Sequence, residues 1–356
     1  MNYLRYIQIL RLNLTLSPLS APLYLADSGK TSTFAAEMKR ILTLTICLTL
    51  MLTTALADGP KVGLVLGGGG AKGAAEVGVL KVLEEAGIKP DFIVGTSIGS
   101  IVGGLYAAGY SAAELETMFK TQEWLTLLTD RNSSLANEPY KVVNDVTYIF
   151  GFPILDRQAI GLGVMTGSRI EHTLDSMARA KGSSDFASLK IPFSCVAADI
   201  RTGTEVILHE GSVAKAMRAS MAIPGVFKPV EIDGQRLVDG GMLNNLPVDV
   251  CRQMGADIII AVDLQQTEQK PRPQTDMTAL TPIADLVGLG GILNWVTNRP
   301  DIEKYLANRQ KIDIYIHPIL PDADVTSFGN KNSARMIQAG IEAAHELLPQ
   351  LSKLSQ

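Results

Sequence analysis

The clearest hydrophobic pattern in the chain lies between residues 61 and 110. An apolar run at Val62–Leu66 is too short for a typical helix and predicts a buried strand. After a run of glycines, apolar residues recur at helical spacing from Ala74, and Gly87 provides a stop signal. A second short strand is predicted at Phe92–Val94, followed by a helix of small residues that continues to Ala108. This order predicts an α/β fold with a mostly parallel central sheet and helices on both faces, a three-layer arrangement.

The same alternation returns in the second half of the chain. The dipeptide Asp233-Gly234 between two short apolar runs is a strong signal for a β-hairpin. Around it the pattern predicts strands at 192–199, 205–209, 256–263 and 312–317, and helices at 212–220, 248–254 and 332–348.

The region from 111 to 190 is less informative. Helices are expected at Ser111–Phe119, with Ser111 and Glu114 forming a capping box, and at Ser168–Ala180. Between them, Tyr140–Val164 mixes aromatic residues with glycines and a proline. This segment fits either a hairpin or loop packed on the edge of the domain, or an apolar mouth over a greasy substrate.

The first 57 residues carry the features of a targeting sequence. Met38-Lys39-Arg40 precedes the apolar stretch Ile41–Ala55, and an A-x-A pattern ends at Ala57. This is the arrangement of a secretory signal peptide, and the apolar stretch is short for a membrane anchor. We therefore expect 38–57 to be a cleaved signal, 1–37 to be a spurious upstream extension or disordered, and 61–348 to form the exported domain, periplasmic or secreted and able to associate with membranes.

Composition and charge exclude some classes of partner. A formal net charge of −4 with no basic run gives no reason to expect nucleic acid binding. The three cysteines, Cys47, Cys195 and Cys251, have no metal-ligand spacing, so we expect no metal site. Cys195 and Cys251 fit buried apolar positions, although a disulfide in an oxidising compartment stays open.

Two motifs follow the first two predicted strands, where open α/β sheets place their sites. In Gly68-x-Gly70-x-x-Gly73 the glycine backbone can point N–H groups at an anion, either a pyrophosphate or a developing oxyanion. In Gly95-x-Ser97-x-Gly99 the serine fits a nucleophile elbow, a sharp strand-to-helix turn. A dinucleotide site would need an acidic residue closing the second strand, and Ser97 stands there instead.

A third motif makes the combination recognisable. Gly68-Gly69-Gly70-Ala71-Lys72-Gly73, Gly95-Thr96-Ser97-Ile98-Gly99 and Asp239-Gly240-Gly241 occur in one order with the runs 219–229 and 237–247. Together they resemble the patatin-like phospholipase family, in its bacterial branch similar to the catalytic domain of neuropathy target esterase, over about 61–348. Lys72 departs from the arginine more usual in the family, and lysine lacks the planar fork of arginine.

The resemblance implies a Ser-Asp dyad in which Ser97 attacks an ester carbonyl and Asp239 takes its proton. It implies a serine esterase of the phospholipase A or lysophospholipase type, with no metal or organic cofactor and with roles in lipid degradation. The backbone N–H groups of Gly68, Gly69 and Gly70 are our candidates for the oxyanion hole. The other motif positions expected to shape the site are Lys72, Gly73, Gly95, Gly99, Gly240 and Gly241. Local sequence alone favours a turn residue that caps its own backbone for Asp239, and the family resemblance favours the base instead.

Several residues and functions are weighed against this reading. The histidines, His172, His209, His317 and His345, follow no strand-end glycine turn, so we expect surface or packing roles for them. Asp199 follows a strand, and we expect it to accept backbone N–H groups there.

The alternatives are a catalytically inactive patatin fold that binds lipid, supported only by Lys72, and a nucleotide-binding protein. The apolar segment Ile283–Val296 fits a core segment, a dimer contact or a transient contact with a membrane surface.

Overall fold

The computed structural model describes residues 38–45, 59–129, 141–143, 146–149, 152–154, 165–266 and 302–354. The chain divides into two units, Met1–Gly59 and Pro60–Gln356. In the first unit, residues 38–45 form a helix whose side chains are exposed. No helix among the described residues is both long and apolar enough to cross a membrane.

Among its described residues, the second unit is built on a mixed sheet of eight strands, and a separate antiparallel sheet has three. In chain order the strands are β1 (Val62–Leu66), β2 (Phe92–Thr96), β3 (Lys141–Val143), β4 (Val146–Ile149), β5 (Phe152–Ile154), β6 (Phe193–Asp199), β7 (Thr204–Leu208), β8 (Val230–Ile232), β9 (Gln235–Asp239), β10 (Ile258–Val262) and β11 (Ile314–Ile316). Five strands of the large sheet are parallel, in the order β11-β10-β1-β2-β6. Strands β7 and β9 pair antiparallel with β6, and β8 pairs antiparallel with β9.

Helices cover both faces of this sheet. They are α1 (Ala74–Glu85), α2 (Ile98–Ala108), α3 (Ala112–Thr121), α4 (Trp124–Leu128), α5 (Ser168–Ala180), α6 (Val213–Ser220), α7 (Val248–Gln253), α8 (Ile302–Arg309), α9 (Asn330–Glu346) and α10 (Leu348–Leu351). Alternate residues of β1 point in opposite directions: Leu64 and Leu66 join a cluster with α1, α2, α6 and α9, while Val65 joins a cluster with α7 and Tyr305 of α8. Strands buried on both faces are typical of parallel sheets, and the predicted three-layer α/β fold is confirmed.

The strand and helix bounds follow the sequence pattern closely. Strand β1 and helix α5 begin and end at the predicted residues, and Ser111 and Glu114 form the predicted capping box on α3. The hairpin turn at Asp233-Gly234 has positive φ at both residues, as a two-residue hairpin turn requires.

Other predictions meet the limits of the described residues. Tyr140–Val164 includes the three-stranded sheet β3-β4-β5, and its remaining residues lie outside the described ranges. Ile283–Val296 and the part of the predicted signal peptide after residue 45 also lie outside the described ranges.

Candidate active site

Ser97 occupies a sharp turn between a strand and a helix. It follows Thr96, the last residue of β2, and precedes Ile98, the first residue of α2. Its backbone has φ 56° and ψ −121°, a conformation that residues other than glycine rarely adopt. Among the described non-glycine residues, only Asp233 shares a positive φ. This strained turn is the geometry of a nucleophile elbow, and it leaves Ser97 with 9% of its surface exposed.

The flanking glycines are required because the turn is compact. A Cβ atom at Gly95 would lie 2.3 Å from the carbonyl oxygen of Gly99. A Cβ atom at Gly99 would lie 2.3 Å from the carbonyl oxygen of Leu66. Neither contact can be relieved by moving a flexible side chain, since both obstacles are backbone. Side chains at these positions would therefore displace Ser97.

The Ser97 hydroxyl is hydrogen-bonded to a buried carboxylate. Its Oγ donates to Oδ2 of Asp239 over 2.7 Å. The other carboxylate oxygen, Oδ1, accepts the backbone N–H of Gly241 over 2.7 Å. Asp239 is only 1% exposed, and its own backbone N–H donates to the carbonyl of Ala222. The structure thus brings together the two residues for which the resemblance implies a dyad.

The meeting of these residues follows from the sheet topology. Parallel strand β2 pairs with the first half of β6 and ends with Thr96 opposite Val196. Antiparallel strand β9 pairs with the second half of β6 and ends with Asp239 opposite Ala197. Because β7 occupies the other flank of β6, strands β2 and β9 lie on the same flank and approach each other end to end. Their last residues therefore face neighbouring positions of β6.

Burial changes the pKa of the Asp239 carboxyl group. Desolvation raises its pKa to about 6, and the hydrogen bonds from the Ser97 hydroxyl and the Gly241 N–H oppose that rise. A carboxylate with a pKa near 6 accepts a proton more readily than one near the ordinary value of ~4. It is still ionised at neutral pH, as the donated Ser97 hydrogen bond requires.

All four histidines lie in the described residues, away from Ser97 and Asp239 in hydrogen bonding. His317 Nδ1 contacts the carbonyl of Asp263 at 3.0 Å, and its ring stacks on Tyr315. His345 lies 3.9 Å from the carboxylate of Glu85, and His209 lies beside the carbonyl of Ile207. His172 is exposed. Asp239, and none of the histidines, is therefore the residue hydrogen-bonded to the Ser97 hydroxyl among the described residues.

Two backbone N–H groups of the glycine loop after β1 are without a hydrogen-bond acceptor among the described residues. The N–H of Gly67 donates to the carbonyl of Val262, and that of Gly68 donates to the carbonyl of Asn245 over 3.2 Å. Within the described chain, the N–H groups of Gly69 and Gly70 have no hydrogen-bond acceptor. Of the three backbone N–H groups predicted from the sequence as oxyanion-hole donors, that of Gly68 is already hydrogen-bonded within the protein.

Gly68 contributes by its lack of a side chain instead. A Cβ atom there would lie 3.2 Å from the Cβ of Ser97 and 2.2 Å from Oδ1 of Asn245. The backbone of the loop can pass this close to Ser97 only at a glycine. Gly70 has φ +59°, so a side chain there would be strained as well.

The remaining motif positions line the same loops. A Cβ atom at Gly73 would lie 2.3 Å from the side chain of Ile98. A Cβ atom at Gly240 would clash in the same way with the carbonyl oxygen of Val196. Lys72 is 6% exposed, and burial lowers the pKa of its ammonium group while Asp263 and Asp324 oppose that change.

Three contacts at the site were not assigned from sequence. Ser220 accepts the backbone N–H of Ser97 over 3.0 Å and donates to the carbonyl of Val196 over 2.6 Å. Thr96 donates its hydroxyl to the carbonyl of Asn244. Asn245 contacts the glycine loop through both its backbone and its side chain. The signal was present, because 219–229 and 237–247 carry the family resemblance, but no single residue in them indicated which atom it would contact.

Asp199 and the two cysteines, which were also considered from the sequence, lie in structural positions. Asp199 accepts the N–H of Arg201 over 3.0 Å, as expected for a turn acceptor, and that bond leads the causes that lower its pKa. Cys195 and Cys251 are buried free thiols. Among the described residues no group of histidine, cysteine, aspartate and glutamate side chains is arranged to hold a metal ion.

Comparison with known proteins identifies the family. The model for the family described as patatin-like phospholipase matches residues 64–252, more than half of the chain. Patatin-like phospholipase domain-containing protein 6 of Homo sapiens is 37% identical over 213 residues, which cover 59% of this chain and 14% of that protein. An uncharacterized NTE family protein of Mycobacterium tuberculosis is 34% identical over 215 residues, covering 60% of this chain and 52% of that protein. The match therefore spans about one seventh of the human protein and about half of the mycobacterial one.

Solved structures give weaker likenesses. VipD from Legionella pneumophila aligns with a TM-score of 0.46 at 17% identity, over 83% of this chain and 67% of VipD. The type III effector protein ExoU aligns with a TM-score of 0.44 at 13% identity, over 83% of this chain and 54% of ExoU. Scores of this size carry no conclusion, so the assignment rests on the family match and the sequence identities. The chain belongs to the patatin-like phospholipase family, whose members are lipid acyl hydrolases.

Proposed function

We propose that this protein hydrolyses acyl esters of phospholipids or lysophospholipids through an acyl-enzyme on Ser97. The observation that carries the proposal is the 2.7 Å hydrogen bond from Ser97 Oγ to Asp239 Oδ2 at a strained strand-to-helix turn. A serine hydroxyl becomes a useful nucleophile when an adjacent base can take its proton. Family membership supports the lipid class of substrate.

Acylation begins when Ser97 Oγ attacks the ester carbonyl carbon. As the new C–O bond forms, the hydroxyl proton passes to Asp239 and the carbonyl oxygen becomes an oxyanion. When the tetrahedral intermediate collapses, the bond to the leaving alcohol breaks and Asp239 returns the proton to that alcohol. The products of this half-reaction are an acyl ester on Ser97 and a deacylated lipid.

Deacylation repeats the sequence with water. Asp239 takes a proton from water as the oxygen attacks the acyl carbonyl, and returns it to Ser97 Oγ as the fatty acid leaves. The raised pKa of Asp239, about 6, suits a group that alternately accepts and gives a proton near neutral pH. No atom is supplied by a metal or organic cofactor in either half-reaction.

Two backbone N–H groups are the proposed oxyanion hole. Those of Gly69 and Gly70 are without acceptors in the described chain, and they follow Gly68, which packs against Ser97. An oxyanion-hole donor contributes about 2.7–4 kcal/mol of transition-state stabilisation. Since a carboxylate is a weaker base than an imidazole, the proposed mechanism depends strongly on these donors.

The contacts of Lys72 favour an active enzyme over an inactive lipid-binding fold. Its ammonium group interacts electrostatically with the carboxylates of Asp263 and Asp324. The hydrogen bond between Ser97 and Asp239 does not involve Lys72. The replacement of the more usual arginine therefore leaves the proposed dyad intact.

Export and contact with a membrane surface are proposals that rest on the sequence. The signal-like segment 38–57 supports export, and a phospholipid substrate supports transient membrane contact. Amino-terminal sequencing of the native protein should find the chain beginning after Ala57; a mature chain that retains 38–57 contradicts cleavage.

The dyad is tested with the full chain and a fluorophosphonate probe that labels activated serines, beside hydrolysis of short-chain esters and phospholipid vesicles. Ser97→Ala should abolish labelling and lower kcat by about 10³-fold or more. Ser194→Ala is the matched control, because Ser194 is a buried serine at the amino end of β6. Labelling that survives Ser97→Ala would identify another nucleophile. A folded wild type that neither reacts nor hydrolyses any ester would favour the inactive lipid-binding alternative.

A further inference from the structure

Asn245 joins the glycine loop to the segment that follows the proposed base. The N–H of Gly68 donates to the backbone carbonyl of Asn245 over 3.2 Å. In return, Nδ2 of Asn245 donates to the carbonyl of Gly68 over 3.2 Å. Both polar groups of the Gly68 backbone are thus bound by one residue, 177 positions away in the chain. Asn245 is 6% exposed, so water is largely excluded from these bonds.

The amide oxygen of Asn245 lies between two motif glycines. A Cβ atom at Gly68 would come within 2.2 Å of Oδ1, and a Cβ atom at Gly241 would come within 2.7 Å. Gly241 is the residue whose N–H binds the carboxylate of Asp239. One side chain therefore packs against the glycine loop on one side and against the turn that holds the proposed base on the other.

The neighbouring residue reaches the nucleophile strand. The carbonyl of Asn244 accepts the hydroxyl of Thr96 over 2.9 Å, and Thr96 directly precedes Ser97. Asn244 and Asn245 thus contact the end of β2 and the glycine loop, respectively, and hold these two segments at a fixed separation. That separation sets the distance between Ser97 Oγ and the free N–H groups of Gly69 and Gly70.

We infer that Asn245 is a positioning residue for the oxyanion hole. It acts through Gly68, whose position fixes the Gly69 and Gly70 N–H groups relative to Ser97. Among the described residues its hydrogen bonds go to Gly68 and not to Ser97 or Asp239. This inference rests on the proposed function in its catalytic consequence, and on the hydrogen bonds alone in its structural one. Misplacement of a donor by less than 1 Å is enough to lower the rate of such a reaction.

The chemistry of the side chain explains why an amide is needed. The carbonyl of Gly68 requires a donor, which aspartate in its ionised form cannot provide. Alanine provides none and leaves a gap between Gly68 and Gly241. Asn245→Asp therefore replaces the donating amide with a carboxylate of nearly the same shape. Asn245→Ala removes the donor and also the side chain that fills the space between Gly68 and Gly241.

The test compares these variants with Asn308→Ala in the full chain. Asn308 is a buried asparagine of α8 whose Nδ2 donates to Asn244 Oδ1 and to the carbonyl of Leu246, so it supports the same segment without touching the glycine loop. We expect Asn245→Ala and Asn245→Asp to lower kcat by about 10- to 100-fold, somewhat less than removal of an oxyanion donor. KM should change by less than about twofold, since an interaction made only in the transition state is weakened. In Asn245→Ala, which adds no charge beside Asp239, the midpoint of the pH–rate profile should stay where it is in the wild type.

Asn308→Ala should lower the melting temperature while kcat stays close to that of the wild type. If Asn245→Ala lowers kcat no more than Asn308→Ala at a similar loss of stability, Asn245 is merely structural and the inference is overturned.

Amide hydrogen exchange gives a readout that needs no activity. Peptides covering residues 67–73 should exchange faster in both Asn245 variants than in the wild type, and at the wild-type rate in Asn308→Ala. If the wild type hydrolyses no ester, the proposed function fails, yet this exchange still decides whether Asn245 holds the loop. Unchanged exchange at 67–73 in Asn245→Ala would overturn the inference whatever the activity.

Discussion

Asp239 and Asp263 lie in two regions of one sheet and share the same local structure. Asp239 is the last residue of β9, and Asp263 directly follows β10. Each is 1% exposed. In each, Oδ1 accepts a backbone N–H from two residues further on: Gly241 at 2.7 Å for the first, Gln265 at 3.0 Å for the second. Both are therefore strand-end aspartates that cap their own turn.

The hydroxyl groups that reach Oδ2 distinguish the two regions. Asp239 receives the hydroxyl of Ser97, an aliphatic alcohol on a strained and partly exposed turn. Asp263 receives the phenols of Tyr305 and Tyr315. The guanidinium carbon of Arg309 lies 4.6 Å from the centroid of the Tyr315 ring. Burial, together with the charge of Asp263, raises the pKa of the Tyr315 phenol.

The comparison teaches that the turn does not decide the chemistry. Asp199 repeats the motif a third time, accepting the N–H of Arg201, and no serine of an elbow reaches it. The expected cap role and the proposed base role of Asp239 hold together, on different oxygens of one carboxylate. What separates a base from a structural acceptor is which hydroxyl the topology delivers to the second oxygen.

The sharpest way to break this comparison is to neutralise each carboxylate. Asp239→Asn should lower kcat by about 10³-fold or more, because the proton acceptor of Ser97 is lost. Asp263→Asn should lower kcat by less than about tenfold, and it should lower stability by about 2–3 kcal/mol through weakened hydrogen bonds to a charged group. Ester hydrolysis and denaturant unfolding measure the two effects.

Asp199→Asn serves as the control, since it removes a strand-end carboxylate whose hydroxyl partner is Thr202 of its own turn and neither an elbow serine nor a phenol. Equal losses of kcat in Asp239→Asn and Asp263→Asn would mean that the partner hydroxyl does not distinguish the two regions.

Much of the fold was predictable because its signals are local. The apolar run Val62–Leu66, the cap at Ser111 and the turn at Asp233-Gly234 each depend on a few neighbouring residues, and each lies where the pattern predicts it. The elbow at Ser97 was predictable for the same reason, since glycines flank the serine on both sides. The family resemblance added the pairing of Ser97 with Asp239, which no local pattern contains.

The remaining parts of the site depend on contacts between distant segments. Gly68 and Asn245 are 177 positions apart, so the loss of the Gly68 N–H as a free donor could not be read from the glycine motif. Ser220 reaches the N–H of Ser97 across 123 positions. The abutting ends of β2 and β9 along β6 depend on three strands at once. Strand pairing of this kind is fixed by tertiary packing and not by any one segment.

A smaller effect sharpens the comparison through stability. The folded-state pKa of Asp239 is raised to about 6 by burial, against ~3.9 in the unfolded chain. The folded protein therefore binds more protons than the unfolded chain between these values, and stability falls as the pH rises through that range. Two pH units correspond to about 3 kcal/mol. Asp239→Asn should thus be more stable than the wild type at pH 8 by up to this amount, with the advantage fading toward pH 4.

Denaturant unfolding at several pH values measures the difference between Asp239→Asn and the wild type, with Asp263→Asn beside them. Asp263→Asn should be the less stable protein at pH 8, opposite in sign to Asp239→Asn. A stability difference for Asp239→Asn that does not vary with pH would show that the Asp239 carboxylate carries no cost of burial.

The smallest expected effect is the pH dependence of the reaction, and it assigns the base directly. Below its pKa of about 6, Asp239 is protonated and can no longer take the Ser97 proton. For a soluble short-chain ester, kcat/KM should be level above pH 7 and fall by about tenfold per unit below pH 6. Asp263→Asn should keep this limb with its midpoint unchanged, whereas the residual activity of Asp239→Asn should lack it.

A midpoint near pH 4 in the wild type would mean that the free enzyme does not raise the pKa of its base, and the oxyanion donors would then have to supply more of the rate enhancement. A midpoint near 6 that shifts in Asp263→Asn would instead show that the two strand-end carboxylates are electrostatically coupled across the sheet.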